Sequence, residues 1–347
     1  MMQTSESHPF QKYLSFVAKG LGPRDYKIFA LAGDASSRRY FRVVAENDSW
    51  VLMDWDPFVD DGKYPFLNVL DHFAKHQIQV PSVIAKSPAD GLVLLEDLGD
   101  LTLERKFWEN QNQELVLPYY KLAIDELLKI HYEASADISE CVAFKIAFDT
   151  DKLLWEMNYG RDHLLLKLCD LKFSSKLSQD IDKLFLKICE TLNSETKFIA
   201  HRDYHSRNVM IKHGKMRVID FQDARMGAIQ YDLVSLLRDS YVDIDSSIES
   251  QLIDYYLQGR NLAGKKTNLA KLSRAEFDHV YEIQSIQRCF KACGSFSSFY
   301  NLRQDTRYLK YLHNTLSRVR SSLEKFNEYK LFYDVLNDNG LFEHKFV

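Results

Sequence analysis

Asp203, Asn208 and Asp220 are the residues of this chain whose types and spacing could do chemistry. They lie in the stretch FIAHRDYHSRNVMIKHGKMRVIDF, residues 198 to 221. Read locally, KFIA is a short apolar strand, HRDYHSRN a polar loop, VMI a strand, KHGK a turn around Gly214 and MRVI the returning strand. Such a hairpin brings Asp220, just past its end, beside Asn208, just before its start. A carboxylate and an amide oxygen so placed are the hard donors that magnesium bridging two phosphates requires of a protein. Asp203, on the same loop, is close enough to accept a proton from an acceptor hydroxyl without itself binding metal. Any one of the three could simply cap a turn. Together they have the composition of a phosphoryl-transfer site.

The elements that must position them are legible in outline. Over the first hundred residues YKIFAL, RYFRVVA, WVLMDW and LVLLEDL alternate in a strand-like way between turn-type segments. Phe66, Leu67, Leu70, Phe73 and Ala74 recur at helical spacing between the third and fourth of these. This predicts a small, mostly antiparallel sheet crossed by one helix, over residues 1–98. From residue 99 to 347 the periodicity is helical, clearest at Ile181, Leu184, Phe185, Ile188 and Leu192. Tyr120, Ala123, Ile124, Leu127 and His131 mark another helix, whose histidine is read as a packed residue. The fold class is α+β, with a strand-rich N-terminal lobe, a mainly helical C-terminal lobe and a ligand-binding cleft between them.

Composition narrows the class of partner. With 347 residues, 46% of them hydrophobic, the chain can bury a core without staples. A formal net charge of −4 with no long like-charge run argues against nucleic acid and against a polybasic membrane patch, and favours small molecules. Five cysteines without a CxxC pattern suit a reducing compartment, and Cys289 and Cys293 are read as packed thiols. MMQTSESHPF lacks the order of a signal peptide, and no apolar run reaches transmembrane length. A cytoplasmic protein with no obligate protein partner is expected.

The order His-Arg-Asp, four residues, Asn, then an Asp after a β-branched run, reproduces the catalytic-loop and metal-Asp spacing of kinases. HRDYHSRNVMI and VIDFQDARMGAIQYDLVSLLRD resemble the aminoglycoside phosphotransferase family, a branch of the protein-kinase-like fold. GDASSRRYFRV, LMDWDP, VPSVIAKSPADGLVLLEDLGD and IQRCFKACGSFSSF are similar to its bacterial anomeric N-acetylmuramate/N-acetylglucosamine kinases of cell-wall sugar recycling. The resemblance spans about Gly33 to about Leu312.

It implies a two-lobed kinase-like fold, ATP and Mg2+, and a sugar as acceptor. Asp203 would be the catalytic base, Asn208 and Asp220 the magnesium ligands, and His201 and Asp232 would brace the loop. His205 matches the second histidine of the family motif and would face the substrate. Gly33, Ser36 and Ser37 would offer donors to phosphate oxygens, and the backbone around Glu96 and Leu98 would meet adenine. Where a kinase carries a strand lysine this chain has Met53 and Asp54, so Arg38, Arg39 or Arg42 is expected to supply that charge.

Between residues 271 and 320, nine basic side chains stand against four acidic ones. Such a surplus favours an acceptor bearing a carboxylate over a polycationic antibiotic, with Arg288 and Lys291 the leading contacts. The alternatives are a kinase of another small hydroxyl compound, of the aminoglycoside, choline or amino-alcohol type, and a nucleotide-binding pseudokinase. A protein kinase is disfavoured, because DARMGAIQYD leaves too little chain for an ordinary activation loop.

Overall fold

The structure is a computed structural model that describes residues 10–31, 38–110, 112–267 and 269–346. Gly33, Ser36 and Ser37 lie outside the described residues. The N-terminal lobe is an antiparallel sheet of β1 (Lys27–Ala30), β2 (Arg39–Ala45), β3 (Asp48–Asp54), β4 (Val83–Ser87) and β5 (Leu92–Glu96), in the order β1-β2-β3-β5-β4. Strand alternation divides its side chains between two faces. Phe41, Val43, Leu52, Leu92 and Leu94 face Tyr13 and Val17 of α1 (Gln11–Leu21). Met53, Val93 and Leu95 face the other way, into a core shared with α2 (Pro65–Lys75) and the helical lobe.

Two elements correct the sequence reading. The lobe has two helices rather than one, because α1 covers the sheet face that α2 leaves open. It also has a fifth strand, β4, an edge strand whose partial burial gives a weak alternation signal.

The second lobe holds α3 (Leu103–Trp108), α4 (Leu117–Leu128), α5 (Thr150–Gly160), α6 (Ser175–Asn193), α7 (Ile229–Leu237), α8 (Ser246–Thr267), α9 (Arg274–Arg303), α10 (Leu312–Leu323) and α11 (Lys330–Asp338). Among them run two short ladders, β6 (Lys197–Ala200) with β9 (Arg225–Ala228), and β7 (Val209–Lys212) with β8 (Lys215–Val218). The β7–β8 hairpin turns on His213 and Gly214, both at positive φ, as a two-residue hairpin turn demands. It is tied to the chain after β5 through Ile211 N–H to Leu101 O at 2.8 Å and to the chain between α2 and β4 through Val218 N–H to Gln79 O at 2.7 Å.

The central helix α9 starts on a capping box of Ser273 and Glu276. It crosses α5 where Gly294 meets Gly160; a Cβ on Gly294 would sit 2.6 Å from the Gly160 Cα. That close approach fixes how far α9 can project toward the loop between β6 and β7. Cys289 and Cys293 are fully buried and unpaired. Among the described residues no helix is long and apolar enough to cross a membrane.

Candidate active site

The loop between β6 and β7 is held open by hydrogen bonds from below. The fully buried Asp232, in the first turn of α7, accepts the backbone N–H of His201 at 2.6 Å and of Arg202 at 2.9 Å. His201, also fully buried, donates from its ring Nε2 to Ile219 O at 3.0 Å, linking the loop to the residue before Asp220. His131 packs underneath, with Nδ1 at 2.7 Å from the Tyr256 hydroxyl and Nε2 at 3.4 Å from Asp232.

Other anchors on the loop were not read from the sequence. Asp239 accepts Ser206 N–H and Oγ–H at 2.8 and 2.5 Å. Arg207 forks onto Glu104 at 2.9 and 3.0 Å and lies 3.6 Å over the Tyr241 ring. The signal for the second was present in types alone, an Arg inside the loop, but its partner lies about a hundred positions away in sequence.

On this frame Asn208 Nδ2 donates to Asp203 O at 2.9 Å, which fixes the amide and, among the described residues, leaves its oxygen without a hydrogen bond. The same amide lies 3.4 Å from Asp220 Oδ2. Asp220 takes a left-handed φ of 65°, a conformation a non-glycine residue holds only when its surroundings impose it. Its Oδ1 accepts from Gln222 Nε2 at 2.9 Å, and its side chain is half-exposed. A half-exposed carboxylate and, beside it, an amide whose oxygen has no hydrogen-bond partner among the described residues are donors of the type that a hard divalent cation takes.

Asp203 points toward α9. Lys291 Nζ lies 3.9 Å from its Oδ1 and Arg202 Nε 3.8 Å from its Oδ2. Burial opposes the charge on Asp203, but Lys291, Arg202, His205 and Arg288 outweigh it and hold the carboxyl well below the usual carboxylate range. His205 is pushed toward its neutral form: burial lowers its proton affinity more than Asp239 and Asp203 raise it. Its ring meets Tyr241 edge-on. Arg288 is buried, and among the described residues it makes a single hydrogen bond, Nε to Ser235 Oγ at 2.8 Å. The other basic residues of the 271–320 stretch contribute less than the count implies. Arg274, Arg307, Arg318 and Arg320 are ion-paired with acids, so that stretch's own contribution to the positive field at Asp203, beside that of Arg202, comes from Arg288 and Lys291.

The three candidate arginines separate by face. Arg39 turns to the α1 side and pairs with Asp54, which also accepts the Tyr13 hydroxyl at 2.7 Å. Arg42 turns to the cleft side but is engaged by Asp97 at 2.7 Å and Asp100 at 2.9 Å, at the end of β5. Arg38 alone of the three reaches the metal-type acid, with Nη1 3.6 Å from Asp220 Oδ1 and its guanidinium 4.4 Å over Trp55. Met53 is fully buried on the same side.

At the junction between lobes, Glu96 is held by Lys212 at 3.0 Å and Arg217 at 3.3 Å, and its N–H bonds to Ser82 O. Leu98 is buried, and among the described residues its backbone N–H and C=O make no hydrogen bond.

An aminoglycoside phosphotransferase with ADP bound, APH(2″)-Ib, superposes with a TM-score of 0.56 over 93% of this chain and 99% of that one at 17% identity, which establishes the protein-kinase-like fold. An N-acetylmuramate/N-acetylglucosamine kinase of Neisseria meningitidis serogroup B is 28% identical over 92% of this chain and 93% of its own length. The protein so named in Pseudomonas aeruginosa is 26% identical, over 87% and 88%. The phosphotransferase enzyme family matches residues 27–265, a span that runs from β1 into α8 and includes the whole loop bearing Asp203, Asn208 and Asp220. The chain therefore belongs to the phosphotransferase enzyme family.

Proposed function

We propose that the protein is an ATP-dependent kinase that transfers the γ-phosphoryl group to the anomeric hydroxyl of N-acetylmuramate or N-acetylglucosamine, giving a sugar 1-phosphate. The observation that carries this reading is the placement of Lys291, 3.9 Å from Asp203, with buried Arg288 behind it. Two cations beside the candidate base favour an acceptor that brings a carboxylate, as a lactyl-bearing sugar does, and disfavour a polyamine. The named activity of the Neisseria and Pseudomonas relatives supports the same acceptor.

In this reading Asp203 receives the hydroxyl proton as the oxygen–phosphorus bond forms and the bond from γ-phosphorus to the bridging oxygen breaks. A carboxylate held so firmly ionised is a weak base, and the anomeric hydroxyl, more acidic than an ordinary alcohol, suits it. Asp220 and Asn208 would hold Mg2+, which supplies charge neutralisation on the β- and γ-phosphates. Arg38 would supply the cation that Met53 does not, and the free backbone groups of Leu98 would meet adenine. The partners are thus a nucleotide and a small sugar.

The test is ADP release against a panel of sugars, methyl glycosides, amino alcohols and aminoglycosides. Both amino sugars turn over, and their methyl glycosides, blocked at the one reacting oxygen, do not. Phosphorylation of a methyl glycoside, or of a polyamine in preference to these sugars, overturns the acceptor while leaving the kinase assignment standing.

A further inference from the structure

Away from the loop, α2 carries His72, and His76, one turn further on, caps its C-terminal end. Opposite them, the chain after α4 winds through Ala134 and brings Asp137 against the pair. One ligand-type atom from each of His72, His76 and Asp137 lies within 4.8 Å of the others, and His76 Nε2 is 2.9 Å from Asp137 Oδ2. His72 is buried and shows the outer contact that metal-bound histidines favour: Nε2 lies 2.9 Å from Ala134 O. With the proton on Nε2, the lone pair of Nδ1 remains, 3.3 Å from Ser139 Oγ. The Lys75 ammonium rests on the same Asp137 oxygen, so a cation already occupies the carboxylate's open side.

We propose that His72, His76 and Asp137 form a binding site for a divalent transition-metal ion of the zinc type, with water as the fourth ligand, and that the ion pins α2 to the helical lobe. Two imidazoles and one carboxylate select such an ion over magnesium, which prefers an all-oxygen set. Ligand atoms about 2.0–2.2 Å from a tetrahedral ion stand about 3.4 Å apart. The cluster reaches that spacing by small side-chain rotations, with the lysine ammonium leaving.

The position gives the ion a consequence beyond stability. Phe66 and Phe73 on α2 pack on Phe221, with ring centroids 5.3 and 5.9 Å away, and Phe221 directly follows Asp220. An ion that holds α2 against the second lobe therefore holds the packing that sets Asp220.

The experiment titrates the full chain, stripped with a chelator, with Zn2+ against a chromogenic competitor in millimolar Mg2+. Thermal melting and the visible spectrum with Co2+ are recorded alongside. One equivalent binds, melting rises, and cobalt gives the intense bands of a four-coordinate site. His76→Ala and Asp137→Asn, both at partly exposed positions, weaken zinc at least tenfold and remove the bands, whereas Lys75→Gln tightens zinc by removing the competing ammonium. The proposal fails if Mg2+ displaces the ion. It also fails if His76→Ala and Asp137→Asn bind as the parent does, or if Lys75→Gln leaves the affinity unchanged or weaker.

Discussion

The Asp232 carboxylate accepts the backbone N–H of Arg202 at 2.9 Å, and Arg202 sits at a φ of 84°, where an L-residue is strained. A buried anion thus fixes an unfavourable backbone conformation one residue before Asp203. Without that anion the loop has reason to relax.

Asp232→Ala leaves the His201 and Arg202 N–H groups without their acceptor, at about 1–3 kcal/mol for each buried donor left unpaired. The expected result is a lower melting temperature and a large fall in kcat, with a smaller change in the KM for ATP, since the junction near Leu98 is untouched. Steady-state kinetics beside thermal melting decide it; an unchanged kcat would separate the strain from the chemistry.

Asp203→Asn should fold, bind nucleotide and lose about 10²–10⁴ in turnover, the usual worth of a general base, or about 3–5 kcal/mol. The pH behaviour follows from its depressed carboxyl. The group is ionised throughout the neutral and mildly acid range, so the acid limb of the parent's rate profile does not come from Asp203. Its contribution to stability is complete above the ordinary carboxylate pKa of about 3.9 and is lost only as pH falls below that. A rate profile falling with an apparent pKa near 6 that disappears in Asp203→Asn would contradict this.

Lys291→Glu tests the acceptor field without disturbing the core, because Arg288, buried on Ser235, would not tolerate reversal. The KM for the lactyl-bearing sugar should rise about tenfold or more, a loss of about 1.4 kcal/mol, and that for the neutral sugar much less. Equal changes for both sugars would show that Lys291 acts on Asp203 rather than on the substrate.

On α9, Glu282 receives Arg238 through two bonds of 2.7 Å, with Ser322 Oγ at 2.7 Å and Lys325 closing the group. Burial works against its charge, but Arg238, Lys325 and Ser322 prevail and bring its pKa from 4.5 to about 2. A depressed carboxyl stabilises the fold above its unfolded pKa and loses that effect as pH falls toward the folded one. The window is therefore about pH 5 to 2, and the magnitude is on the order of 3 kcal/mol. Urea unfolding of the parent and Glu282→Gln should differ most near pH 7 and converge as pH drops through this window. A constant difference would assign the stabilisation to packing.

The local structure of the stretch bearing Asp203, Asn208 and Asp220 was legible because its spacing is local: the loop, the hairpin and the turn at Gly214 are all decided within a couple of dozen residues. Asp232 could be placed only through the family motif. Asp239 and Glu104 could not be placed at all, since their partners are joined to them by tertiary packing. Arg38, Arg39 and Arg42 look alike in sequence. Alternation sends Arg39 to the α1 face, and position along the strand gives Arg42 to Asp97 and Asp100 and Arg38 to Asp220. The helix α1 was missed although Tyr13 and Val17 are spaced for one face, because nothing in its own sequence says that the sheet needs a cover there. The surplus charge over residues 271–320 left out acids that lie beyond the stretch, such as Asp254, Asp243 and Glu343, which is why part of it dissolves into ion pairs.

The segment from Asp220 to the start of α7 reads DFQDARMGA, and its second half is zipped to β6 as β9. It contains no serine, threonine or tyrosine. It offers no hydroxyl to a phosphoryl group, and the residues from Arg225 to Ala228 are held in the ladder with β6. A switch that works by phosphorylating a hydroxyl has no acceptor in this segment, whose shape is set instead by its pairing to β6.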